Sequence, residues 1–296
     1  MKYELAQATR IGARKINQDR IGCWSTSECL LMAVADGLGG HLHGEVAAEL
    51  AMRLLAAAFE REAKPRLPDP DAFLTRAMSA GHAAILRDAE RRGLDDTPRT
   101  VLVACVVQEG VAHWLHIGDS RLYLIRDGRI VQRTRDHTVV QALVDSGRIR
   151  EEAITTHPER NRLLQCLGGF ATPKPDPCER AVLARGDIVL LCSDGFWGPL
   201  TQRHMLHSLM ARPIDAAIDE LAELAEVRGG RSCDNISVVA MTWQEDAVGA
   251  PAPAEVEHTQ VQDLTATDLD YMRVSDEDIE KAIAELKEAL RRSSTQ

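Results

Sequence analysis

Apolar positions recur along the chain with two different spacings, and each marks a different kind of element. Tyr3 to Thr9 alternates covered with polar positions, the two-residue period of a strand with one buried face. Leu30 to Ala35 is apolar throughout, which fits a short strand enclosed on both sides. From Gly44 the spacing becomes helical, with Ala47, Leu50, Ala51, Leu54 and Ala58 on one stripe until Pro65 and Pro68 interrupt it. Asp69 or Asp71 stands where a second helix needs its cap, ahead of Leu74, Met78 and Ile85. Strand patterns return at Val101 to Val107 and Val111 to Ile117, turned at Glu109-Gly110. Leu122 to Ile125 and Ile130 to Gln132 follow, turned at Asp127-Gly128. Residues 136–177 mix prolines with short helical pieces, the pattern of a surface flap subdomain. Val182-Leu183 and Ile188 to Cys192 read as strand. Ile214, Ala217, Ile218, Leu221, Leu224 and Ala225 trace a helix that stops at Gly229-Gly230, and Ile236 to Trp243 closes the series. This order predicts an α+β fold in which two antiparallel sheets pack together with helices outside.

One domain is expected over residues 1–245, flap included. Beyond it, AVGAPAPAEVEH opens a linker over 246–274. Ser275 then caps an amphipathic helix over 275–292, with Ile279, Ile283, Leu286 and Leu290 on a narrow stripe. That stripe suits docking on its own domain, a partner protein or a second copy.

Composition narrows the functional classes. The formal net charge of -10 argues against nucleic acid as a partner, since phosphate contacts need clustered Lys and Arg. Seven cysteines are scattered with no CxxC pair, which favours a reducing compartment over a disulfide framework. The opening MKYELAQATR lacks the apolar centre of a secretion signal, and no later run reaches membrane-spanning length. Cytoplasmic placement, without a membrane span, is the expectation.

Candidate chemistry lies in three aspartates at the edges of apolar runs: Asp36 in VADGLGGH, Asp194 in LLCSDG and Asp234 in SCDNISVV. Carboxylates gathered at strand ends need cations or protons to balance them. Hard ions such as Mg²⁺ and Mn²⁺ favour such oxygens, and the Gly37 carbonyl is a further donor. His41 and His43 suggest zinc, but the surrounding donors are oxygens rather than nitrogen or sulfur.

The motifs RKINQDR (14–20), VADGLGGHLHGE (34–45), HIGDSRLYL (116–124), LLCSDGFWG (190–198) and CDNISVV (233–239) occur in one order. Together they resemble the metal-dependent protein phosphatases of the type 2C (PPM) family, bacterial serine/threonine branch, over roughly residues 1–245. The resemblance implies a four-layer α-β-β-α sandwich and a binuclear Mn²⁺ or Mg²⁺ hydrolase, acting through metal-activated water on phosphoserine and phosphothreonine proteins. It implies that Asp36 bridges both ions, that Asp194 and Asp234 hold the first and the Gly37 carbonyl the second. Asp119, with Asp194, matches a third, weaker site of the bacterial branch. Arg14 matches the arginine that grips substrate phosphate, Asp19 an acid just behind the metal ligands, and Asn235 and His41 supporting positions. A cognate serine/threonine kinase is the implied counterpart.

Three departures stand out. Leu38 replaces the histidine of eukaryotic relatives that protonates the leaving alcohol, which leaves that proton to metal-held water or His41. Arg99-Thr100-Val101 replaces a Gly-Thr-Thr stretch, and the linker and helix extend past the family core. The competing reading is a catalytically weak regulator that binds phosphoproteins and recruits a partner through its terminal helix. A metal-dependent nuclease shares the ion chemistry but conflicts with the acidic charge.

Overall fold

The computed structural model describes residues 1–38 and 43–246, all within the unit Met1–Ala250. His41, most of the expected linker and the whole expected terminal helix lie outside the described residues.

Among the described residues ten strands form in this order: β1 (Tyr3–Arg10), β2 (Arg20–Ser25), β3 (Cys29–Gly37), β4 (Thr100–Gln108), β5 (Val111–Ile117), β6 (Arg121–Arg126), β7 (Arg129–Arg133), β8 (Glu179–Val182), β9 (Ile188–Cys192) and β10 (Ile236–Trp243). They pair into two five-stranded antiparallel sheets, β1-β10-β9-β6-β7 and β2-β3-β4-β5-β8. The helices are α1 (Gly44–Glu62), α2 (Pro70–Arg92), α3 (Val139–Asp145), α4 (Asp194–Trp197), α5 (Gln202–Ala211) and α6 (Ile214–Gly229).

Met32, Val34, Val103, Cys105 and Trp114 of one sheet meet Leu122, Leu124, Leu191, Val239, Met241 and Trp243 of the other, forming the central core. The alternate residues of β9 and β10, Leu190, Cys192, Val238 and Ala240, face outward onto Ile218, Leu221 and Ala225 of α6. Helices α1 and α2 cover the opposite sheet. Strands covered on both faces lose alternation, which is why β9 is apolar throughout and β3 and β4 are apolar except at their ends.

Local chemistry accounts for the boundaries. The Asp69 side chain accepts from Ala72 N at 3.0 Å and Pro70 opens α2, which Gly93 ends at φ 61°. The hairpin turns hold Glu109 and Gly110 at φ 54° and 72°, and Asp127 and Gly128 at 49° and 69°. Paired left-handed residues give the turn twist that adjacent strands require.

Two kinds of element depart from the sequence pattern. Strand β2 was not expected, because as an edge strand it is half-buried along most of its length and shows no alternation. Helices α4 and α5 were not expected either; α5 buries only Met205, Ser208 and Leu209, too few to mark a stripe. Strand β8 runs from Glu179 to Val182, so the expected Val182-Leu183 strand meets it only at its last residue. Between β7 and β8 the chain carries α3 and a 3-10 turn, Glu151–Thr156.

Candidate active site

Antiparallel pairing carries the motif ends to one edge of the double sheet. Asp36 lies at the end of β3, Asp119 just beyond β5 and Asp194 just beyond β9; Asp19 precedes β2 and Asp234 precedes β10. Arg20 pairs with Ala35, which sets Asp19 opposite Asp36. Arg121 and Val238 both pair with Cys192, which brings the loops holding Asp119, Asp194 and Asp234 together.

Each acid is held by its own local contacts. Asp194 opens α4, and its carboxyl stands close enough to that of Asp36 for each to act on the other's ionisation. The peptide oxygen of Asp36 accepts from Thr100 Oγ1 at 2.7 Å. Asp234 Oδ1 accepts from Asn235 N at 2.8 Å, and its Oδ2 accepts from Arg14 Nη2 at 2.6 Å. Trp197 Nε1 donates to the Asp119 peptide oxygen at 3.0 Å. Ser193 Oγ donates to Asp19 Oδ2 at 2.8 Å, while the buried Oδ1 of Asp19 has no hydrogen-bond partner.

Asn235 fixes the loop that carries Arg14. Its Nδ2 donates to Ile11 O at 2.9 Å and Ile16 O at 3.1 Å, and its Oδ1 accepts from Gln18 N at 2.8 Å. Close backbone approach does the rest. A Cβ on Gly195 would lie 2.0 Å from Asn235 O, and one on Gly37 would lie 2.5 Å from Gly44. Gly195→Ala is therefore expected to push the Asp194 and Asp234 loops apart and to destabilise by about 1–3 kcal/mol, read by urea denaturation. An alanine variant as stable as wild type would contradict this packing.

The electrostatics are those of acids short of positive charge. Removal from water, and repulsion from one another, raise the carboxyls of Asp36, Asp119 and Asp194 above the ordinary carboxylate range. Burial likewise raises Asp19, with Ser193 opposing. Arg14 is held charged chiefly by its bond to Asp234.

Among the described residues no three Asp, Glu, His or Cys groups already form a closed coordination set. The Arg14–Asp234 ion pair offsets part of the charge instead. The donor set is all oxygen, with an orphaned carboxylate oxygen on Asp19, and this chemistry fits hard divalent cations. Cys192 and Cys233 adjoin the acids but are buried, with thiols raised by desolvation, so they pack as small apolar groups.

The remaining sequence candidates divide. Gly37 lies in the cluster, its N–H donating to Gln18 O at 3.3 Å. His43 sits at φ 66° ahead of α1 with Glu45 at 3.6 Å. Leu38 N is tied to Arg99 O at 3.0 Å, while the Arg99 guanidinium reaches Asp96 and lies 5.0 Å from the Phe170 ring.

Several supporting residues escaped the sequence reading. His137 Nδ1 accepts from Gly118 N at 3.1 Å, propping the Asp119 turn, and its ring stacks on His116. Arg121 lies 3.4 Å over the Trp197 ring and binds Asp136 through two bonds of 2.7 and 2.6 Å. A lone serine in an apolar strand, Ser237 in ISVVAM, was the one available signal for the hydroxyls behind Asp19.

The family model for Protein phosphatase 2C matches residues 6–228. The chain belongs to the protein phosphatase 2C family. Among its relatives, Serine/threonine protein phosphatase PstP of Mycobacterium tuberculosis is 39% identical over 211 residues, 71% of this chain but only 39% of that protein. The chain thus spans about two fifths of that relative's length. Serine/threonine phosphatase stp of Listeria monocytogenes is 31% identical over 76% of this chain and 90% of its own. Among solved structures, the PstP catalytic domain in complex with two manganese ions is 33% identical, with a TM-score of 0.71 over 82% of this chain and 99% of that one. Among the described residues no helix is long and apolar enough to cross a membrane.

Proposed function

We propose that this chain is a metal-dependent phosphatase that removes phosphate from phosphoserine and phosphothreonine in proteins. The observation that carries the reading is the meeting of Asp19, Asp36, Asp119, Asp194 and Asp234 at one sheet edge, with Arg14 bonded to Asp234 beside them. Family membership and the names of the relatives support it.

Asp36, Asp194, Asp234 and the Gly37 carbonyl would hold two Mn²⁺ or Mg²⁺ ions, and Asp119 with Asp194 a third. Divalent ions so bound supply Lewis acidity and make water a nucleophile near neutral pH. The protein's own part is charge and position. Arg14 is half-exposed, so its guanidinium can exchange Asp234 for two phosphoryl oxygens once cations share the carboxylate. The Asn235 clamp keeps that loop in place while Arg14 changes partners. In the reaction the water oxygen bonds to phosphorus, the P–O ester bond breaks, and the serine or threonine hydroxyl leaves with a proton; Leu38 has none to give. Ile11 and Ile16, 46% and 57% exposed on the Arg14 loop, suit a polypeptide substrate better than a small ester.

Arg14→Lys keeps the charge but loses the fork. Its KM for a phosphothreonine peptide is expected to rise about tenfold to a hundredfold with kcat less affected, from the ~1.5–3 kcal/mol worth of a charged hydrogen bond. An unchanged KM in steady-state phosphate release would remove Arg14 from phosphate binding.

The physiological setting follows the same reading: a cytoplasmic enzyme, consistent with seven free thiols, opposing a serine/threonine kinase. The deciding experiment is phosphate release from a phosphothreonine peptide in EDTA and after Mn²⁺ is restored. Restored turnover establishes the hydrolase. No turnover with manganese bound by calorimetry leaves the phosphoprotein-binding regulator in its place.

A further inference from the structure

Behind the metal-facing acids the polar side chains close into a ring. Ser193 Oγ donates to Asp19 Oδ2 at 2.8 Å and accepts from Ser237 N at 3.0 Å. The Ser237 hydroxyl meets Thr9 Oγ1 at 3.0 Å, and Thr9 Oγ1 accepts from Asn17 Nδ2 at 2.9 Å. Asn17 Oδ1 accepts from the Asp19 amide at 3.0 Å and closes the circuit. The ring joins β1, the Arg14 loop, the end of β9 and the start of β10, so every chain segment that frames the acids has a member in it, β3 and the Asp119 turn after β5 excepted.

Its one carboxylate is unevenly treated. Asp19 is 3% exposed; one oxygen is satisfied by Ser193 and the other is buried without a donor. A buried acceptor left open costs free energy unless something binds it, and the acids Asp36, Asp194 and Asp234 stand close enough to repel its charge. Had Ser193 been alanine, the Asp19 carboxyl would be free to turn about its Cβ–Cγ bond, and neither oxygen would be reserved. We infer that Ser193 is a positioning residue: through the hydroxyl ring it fixes the Asp19 carboxylate so that Oδ1 stays open toward the acid cluster, as the acceptor for a bound divalent cation or its hydration water. Ser193 acts on the ion only through Asp19. The inference rests on the metal reading proposed above, and extends it to a serine, a second serine, a threonine and an asparagine with no ligand role of their own.

The test is Mn²⁺ binding to the metal-free full chain by isothermal calorimetry, a readout independent of turnover. Ser193→Ala and Asp19→Asn are each expected to weaken Mn²⁺ by about tenfold or more, the usual range for partners that orient ligands. The double variant is expected to bind no more weakly than Asp19→Asn alone, because removing Asp19 removes the route by which Ser193 acts. Thr9→Val removes a hydroxyl from the exposed side of the ring without altering shape; it is expected to weaken Mn²⁺ in the same direction, and Thr9→Ser to retain wild-type affinity. Should Ser193→Ala fail to fold, the threonine pair carries the test. Wild-type affinity in Ser193→Ala or Thr9→Val, or losses that multiply in the double variant, would overturn the ring's role while leaving the metal site standing. A wild-type chain that binds no manganese would overturn the metal reading itself, and the inference with it.

Discussion

Asp36→Asn is expected to lose about 10³-fold in turnover and yet to be the more heat-stable protein when metal is absent. The activity loss follows from removing the carboxylate proposed to bridge the ions, at several kcal/mol of transition-state stabilisation and about 1.4 kcal/mol per tenfold. The gain in stability follows from the same site. Asp36 is half-buried by area, but its carboxyl stands among Asp19, Asp194, Asp119 and Asp234, and desolvation and repulsion raise its pKa. A carboxyl raised in the folded state binds a proton there that the unfolded chain has already lost, so stability falls with pH across that interval. The contribution is fully present below the unfolded value of 3.8 and is lost as pH rises through the folded values, about 6 for Asp194 and about 7 for Asp19. In EDTA the melting temperature of the wild type should therefore fall from about pH 5 to about pH 8, and that of Asp36→Asn should fall less. Manganese should raise the wild-type melting temperature, most at the alkaline end, where the carboxylates are ionised and ready to bind. An asparagine variant that melts below wild type in EDTA at neutral pH, or that keeps its turnover, would contradict the account.

The largest effect expected on stability belongs to Asp136→Ala. Asp136 and Arg121 form a bidentate pair with side chains only 1% and 7% exposed, and Arg121 Nη1 also reaches Tyr123 Oη at 3.1 Å. Removing one member leaves a buried charge uncompensated, at about 3–5 kcal/mol. For a domain of this size that is a fall in melting temperature on the order of 10 °C. Pairing Asp136→Leu with Arg121→Met is expected to recover part of the loss, since a buried ion pair often gains little over apolar groups of similar volume. Circular dichroism melts of the two variants check both halves; a single-variant loss below about 1 kcal/mol would show that water reaches the pair. The site should feel the change as well, because Arg121 stacks on Trp197, whose indole holds the Asp119 peptide oxygen.

The double sheet was legible because its central strands are largely apolar and two of its hairpin turns carry Glu-Gly and Asp-Gly. Strand β2 was not, since an edge strand with half-buried residues has no period to show. The acids could be gathered on paper because Asp36, Asp194 and Asp234 each abut an apolar run, and the family resemblance added Asp19, Asp119 and Arg14. The present partner of Arg14 was not legible: its bond to Asp234 joins residues 220 positions apart, and neither motif alone implies it. Nor were Ser193, Ser237 and Thr9, whose small hydroxyls pass for ordinary strand and turn residues until the strands are paired. Residue types thus located the charged groups, while tertiary pairing alone showed what holds them.

The pairing of β1 with β10, in register from Tyr3 opposite Trp243 to Arg10 opposite Ile236, bears on how the chain is made. The last of the described strands, β10, lies between β1 and β9, and Asp234 and Asn235 arrive with it. While residues before about 236 are still leaving the ribosome, Arg14 has no Asp234 and its loop has no clamp. The first sheet meanwhile lacks the strand that joins its two halves. A nascent or truncated chain therefore cannot complete the acid cluster or clamp the Arg14 loop until β10 docks, and the activity proposed above is expected only of the completed domain.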